Sequence, residues 1–135
     1  MPEGVGYGPQ FTASVGKALN YIGRHAYAYS GGVAGDNTEF TVLEFETNSQ
    51  YIAGFWRVGY ATATYRNYLF RLLFNEIEVE EFELLTSQIQ SNQQFQHELI
   101  IPPFTKVKVV AANTEDSTTQ SVNAIITGEV YGKVD

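Results

Sequence analysis

Lys106-Val107-Lys108-Val109-Val110-Ala111-Ala112 and Ser121-Val122-Asn123-Ala124-Ile125-Ile126-Thr127-Gly128-Glu129-Val130-Tyr131 decide how this chain folds. In the first run Val107, Val109 and Ala111 recur at every second position, with Lys106 and Lys108 between them; Val122, Ala124, Ile126 and Val130 repeat the rhythm in the second. A period of two sends alternate side chains to opposite faces of an extended strand, so one face of each run is apolar and ready for burial. The intervening Asn113-Thr114-Glu115-Asp116-Ser117-Thr118-Thr119 consists of residues whose short polar side chains bond their own backbone in turns. The two runs are expected to pair as an antiparallel hairpin, with the polar stretch as its tip.

Outward from this pair, β-rich runs cover residues 19–30, 39–47, 51–62, 65–75, 77–84 and 98–101, and the two deciding runs extend over 104–112 and 121–131. Nine Tyr, nine Phe and one Trp, with many Val, Ile and Thr, suit pleated, half-buried surfaces. About eight strands result. Tyr68, Phe70, Leu72 and Phe74 share one face, while Leu69 and Leu73 join Asn67, Arg71 and Asn75 on the other, which predicts a central strand. Pro102-Pro103 breaks a strand and predicts a corner between sheets, and the glycines of residues 31–37 predict a loop. Residues 87–95, polar on nearly all sides, read as a long exposed loop. With no αβ alternation, the fold expected is an all-β, two-sheet antiparallel β-sandwich, a jelly roll first and an immunoglobulin-like sandwich second.

The 135 residues fit one domain, and 44% apolar against 17% charged residues exclude disorder. With 8 Lys and Arg against 15 Asp and Glu the net charge is −7, and the basic residues are scattered. Clustered cations drive binding to phosphate backbones, so direct nucleic-acid binding is not expected. Absence of cysteine excludes a disulfide framework, thiolate metal sites and a cysteine nucleophile. No run of about 18 apolar residues and no basic, apolar leader is present, which predicts a soluble, untargeted chain with no membrane segment. Glycines 4, 6, 8 and 16 with Pro2 and Pro9 make residues 1–16 an extended or flexible arm ahead of one sandwich domain over 17–135. Tyr7, Pro9 and Phe11 are its candidate partner contacts.

The sequence offers few chemical constellations. His25 and His97 stand far apart, outside any His-x-His pair, and read as structural. A Gly-x-Ser-x-Gly elbow is lacking, so neither a catalytic residue nor a metal or other cofactor is assigned. Period two places Glu76, Glu78 and Glu80 on one strand face, where carboxylates can hold calcium but more commonly are solvated and guard an edge against wrong pairing. Tyr51, Phe55, Trp56 and Tyr60 are candidate glycan contacts, since exposed rings stack on sugars; burial in the core is the competing reading for Trp56.

One longer pattern runs through the downstream half. Phe74-Asn75-Glu76-Ile77-Glu78-Val79 precedes a polar excursion, then come Leu99-Ile100-Ile101-Pro102-Pro103-Phe104-Thr105-Lys106-Val107-Lys108-Val109, Ala111-Ala112-Asn113 and Ala124-Ile125-Ile126-Thr127-Gly128-Glu129-Val130-Tyr131. This layout, over residues 74–132, resembles jelly-roll and β-sandwich virion proteins, particularly the decoration or cement proteins of tailed phages. The resemblance implies a non-enzymatic structural protein on the capsid exterior, commonly a homotrimer, that holds neighbouring major capsid subunits together. A carbohydrate-binding module or receptor-binding domain is the alternative.

Overall fold

The computed structural model describes residues 19–61, 66–85 and 96–132. The arm over residues 1–16, with Tyr7, Pro9 and Phe11, and the polar stretch 87–95 lie outside them. Ten strands are described: β1 (Asn20–Ile22), β2 (His25–Tyr29), β3 (Val33–Gly35), β4 (Phe40–Glu46), β5 (Tyr51–Tyr60), β6 (Tyr68–Phe74), β7 (Ile77–Leu84), β8 (Gln96–Ile101), β9 (Lys106–Asn113) and β10 (Gln120–Tyr131). One sheet runs β1-β2-β10-β5-β8, with β3 also on β10, and the other runs β4-β9-β6-β7. All pairings are antiparallel.

Within this order the first long strand pairs with the last, the second with the second-last, and so on inward: β2 and β3 with β10, β4 with β9, β5 with β8, β6 with β7. That is one long hairpin closed at the β6–β7 turn and rolled up, which makes the sandwich a jelly roll rather than an immunoglobulin-like one. Rolling lays β10 beside β5 over ten residue pairs and β9 beside β6 over seven. The turn is two residues long, Asn75 and Glu76, both at positive φ (53° and 70°), as a tight hairpin matched to strand twist requires.

The alternating runs that decided the fold therefore do not pair with each other. β9 and β10 lie in opposite sheets, and the polar stretch after Asn113 crosses between them. Their apolar faces were read correctly: Val107, Val109 and Ala111 meet Val122, Ala124, Ile126 and Val130 in one buried cluster. A single buried face is the same sequence signal whether the neighbouring run lies beside it or across the core. β6 is central, between β9 and β7, with Tyr68, Phe70 and Leu72 fully buried and Leu69 and Arg71 half-exposed.

Residues 19–30, expected as one strand, turn at Gly23 (φ 61°), and β2 and β3 form one interrupted partner of β10. At the interruption the Ser30 backbone N–H donates to Ala124 O (3.0 Å), and the Ser30 hydroxyl accepts the Ala124 N–H (2.9 Å), replacing a missing ladder bond. Gly54 and Gly128 sit opposite each other in β5 and β10. A Cβ at Gly54 would lie 2.0 Å from Thr127 O, and one at Gly128 2.6 Å from Ala53 O, so this approach of backbones needs glycine on both strands.

The Pro102-Pro103 corner carries the chain from β8 in one sheet to β9 in the other, as expected. Buried Thr47, in the corner between β4 and β5, clamps it: its hydroxyl donates to Pro102 O (2.8 Å) and accepts the Thr105 N–H (2.9 Å).

Candidate functional site at the side where both sheets end

β7 ends one sheet and β8 ends the other, and the two edges lie on the same side of the sandwich. β5 and β8 pair with Trp56 opposite His97, both facing inward. From the other sheet β7 contributes Glu80 and Phe82, opposite the inward residues Leu72 and Phe70. The Trp56 indole Nε1–H donates to Glu80 Oε1 at 2.6 Å, and His97 Nδ1 lies 3.2 Å from Glu80 Oε2. The imidazole packs against Phe82 (centroids 4.8 Å apart, 61°) and Trp56 (5.6 Å, 36°). One carboxylate thus ties both edges together.

A bulge aims that carboxylate inward. Leu72 pairs with Glu80 but Leu73 with Glu78, which leaves Val79 as the extra residue. An inserted residue reverses the alternation. Glu80 turns in while Glu78 faces out to Arg71 Nε at 2.6 Å, and Arg71 also bonds Glu39, the residue before β4. Glu76 sits in the turn, where Lys108 and Lys106 (each 3.3 Å away) hold its carboxyl below the ordinary value. Glu76, Glu78 and Glu80, read from the sequence as one acidic face, therefore point to three separate sets of partners. Among the described residues no group of three His, Asp or Glu side chains is placed to hold a metal ion.

The Glu80–His97 pair has the form of a carboxylate orienting an imidazole. His97 Nε2, however, is buried and has no hydrogen-bond partner among the described residues. In this arrangement the pair links the edge strands of the two sheets as a clasp. The sequence reading of His97 as structural does not extend to its partners: the phase change at Glu80-Glu81 marks a slip in the strand but does not say which residues it brings to His97. His25 sits on the outer face, its Nε2 2.9 Å from Thr127 Oγ1.

The four candidate glycan rings do not share a surface. Tyr51 and Phe55 face outward, Tyr51 stacked on Tyr131 (5.4 Å), whereas Trp56 is 1% exposed and Tyr60 packs against the core and bonds the Arg66 and Leu84 carbonyls. Odd and even positions of a strand cannot line one platform.

Outside the clasp, apolar side chains are exposed among the carboxylates of β7 and β8. Ile77, Val79 and Ile100 are 68%, 50% and 65% exposed, and Phe55 is 37% exposed. Ala53, Gly54, Phe55, Glu98, Leu99 and Ile100 line a groove of about 600 Å3 along β5 and β8. A smaller groove of about 190 Å3 separates Glu98, Leu99 and Ile100 from Leu72, Phe74 and Val79 across the sheet gap. Other large apolar side chains, Ile22, Tyr29 and Phe104, are exposed elsewhere, but only this side joins exposed apolar residues to the outer strands of both sheets among the described residues. No protein-family model matches the chain, and neither a curated protein sequence nor a solved structure matches it.

Proposed function

We propose that the protein is a non-enzymatic assembly module that binds neighbouring subunits of a larger particle, in the manner of a capsid decoration or cement protein. The observation that carries this reading is the coincidence of the two sheet edges, β7 and β8, on one side with exposed Ile77, Val79, Phe55 and Ile100. An edge strand offers main-chain donors and acceptors to an added strand, and apolar neighbours supply the buried area such an addition needs. The Glu80 clasp holds the two edges in fixed relation, so a partner meets a preformed surface.

The resemblance of residues 74–132 to phage decoration proteins supplies the virion part of the proposal: a homotrimer on the capsid exterior, in contact with major capsid subunits. The arm over residues 1–16, through Tyr7, Pro9 and Phe11, is its second proposed contact. Quantitative mass spectrometry of purified virus particles from the genome that encodes the chain tests this. The protein is expected in fixed ratio to the major capsid subunit; recovery only from cell lysate, with particles devoid of it, contradicts the proposal.

A further inference from the structure

We infer that the β8 edge takes an extended segment of a partner subunit in which a basic residue stands two positions from an apolar one. This rests on the assembly reading above and names the chemistry of its partner. On the outer face of β8 the sequence runs Gln96, Glu98, Ile100, and the paired strand sets Phe55 opposite Glu98 and Ala53 opposite Ile100. The groove along this face is thus apolar except for Glu98, whose exposed carboxylate has no hydrogen-bond or ion-pair partner among the described residues. Arg57, diagonal to it on β5, makes no ion pair with it. On the neighbouring edge Glu76, Glu78, Glu80 and Glu83 are engaged, and Glu81 lies outside this groove.

A strand added antiparallel to β8 places its side chains directly opposite those of the same face, where opposite charges attract and like charges repel. The complement of Gln96-x-Glu98-x-Ile100 is therefore an alternating segment with Lys or Arg opposite Glu98 and an apolar residue opposite Ile100. A second copy of β8 does not meet that requirement. Faces must match in a continuous sheet, so the two registers of greatest overlap set Glu98 against the other Glu98 or against Ile100. Residues 1–16 do not meet it either, for they contain neither Lys nor Arg.

Two capped peptides, Thr-Val-Thr-Lys-Thr-Val-Thr and the same sequence with Glu in place of Lys, test the inference against the full-length protein by amide-resolved NMR titration. The Lys peptide is expected to shift and protect the amides of Gln96–Ile101 and to bind about fivefold more tightly than the Glu peptide. Glu98→Lys is expected to invert that preference, with an unchanged spectrum for β2 and β4 reporting an intact fold. Equal binding of the two peptides, no binding of either, or a preference indifferent to Glu98→Lys overturns the inference. So does a concentration-dependent dimer that protects β8 and dissociates on Ile100→Lys, which makes the occupant a second copy. Stoichiometric incorporation into particles together with any of these results leaves the assembly reading standing and removes only this choice of partner.

Discussion

Trp56 and Glu80 belong to different sheets, yet the indole N–H of the first donates to the carboxylate of the second at 2.6 Å. The indole is 1% exposed, and Glu80 is the hydrogen-bond partner of its N–H. Glu80→Ala is expected to lower stability by about 1–3 kcal/mol, the cost of a buried unsatisfied donor. Glu80→Gln keeps an acceptor and is expected to lose less. Urea denaturation followed by Trp56 emission checks both, as Trp56 is the sole tryptophan, and its emission should resist iodide quenching in the wild-type protein.

The Gly54–Gly128 crossing gives a sharper structural expectation. A methyl group at Gly54 meets the β10 backbone, which cannot step aside as a side-chain tip can. Gly54→Ala is expected to cost about 3 kcal/mol or to prevent folding, as overpacking against main chain does. Gly23→Ala, at a left-handed turn with open space around it, is expected to cost about 1 kcal/mol. Melting temperatures of the two variants, compared side by side, give the ranking.

Asp116 organises the loop between β9 and β10. It accepts the Thr118 backbone N–H (3.0 Å) and bonds Arg66 (2.9 Å) and Asn113 (3.1 Å); chiefly through Thr118, its carboxyl is held down at about 2 from an ordinary 3.8. A pKa depressed by folding stabilises the native state above the unfolded value, and that contribution is lost as pH falls from about 4 through about 2. Asp116→Asn is therefore expected to flatten the fall of melting temperature between pH 4 and pH 2, and to leave the slope above pH 5 unchanged.

Exposed edge residues should be dispensable for folding. Val79→Lys and Ile100→Lys each place a charge on a side chain that is half or more exposed, and each is expected to change stability by no more than about 0.5 kcal/mol. Charged edge residues block strand addition, so the same variants are expected to lose association with partner subunits. Chemical denaturation and a particle-binding assay separate the two effects.

The sequence carried the all-β class, the two-sheet sandwich and the Pro102-Pro103 corner, because alternation and proline act locally. It placed β9 and β10 wrongly, since inward faces such as those of Val107 and Val122 do not reveal which strands are neighbours. The polar stretch after Asn113 was legible as a self-bonded tip, and the Asn113 side chain does bond Thr118 and Asp116. The candidate site was mostly hidden: the apolar positions change phase from Ile77 and Val79 to Phe82 and Leu84 at Glu80-Glu81, which marks a slip of register, but nothing in the run says that the slip turns Glu80 toward Trp56 and His97. Trp56, Phe55 and their neighbours were recognised as a notable run, but the faces on which they fall depend on which side of β5 the core lies.

The β7–β8 side is the proposed contact surface. The most direct test is cosedimentation of the Val79→Lys/Ile100→Lys double variant with virus particles assembled without the protein, alongside wild type at matched concentration. The double variant is expected to be folded, with a melting temperature within a few degrees of wild type, and to stay in the supernatant while wild type pellets with the particles. Pelleting of the folded double variant to the wild-type extent would place the contact on another surface and contradict the account.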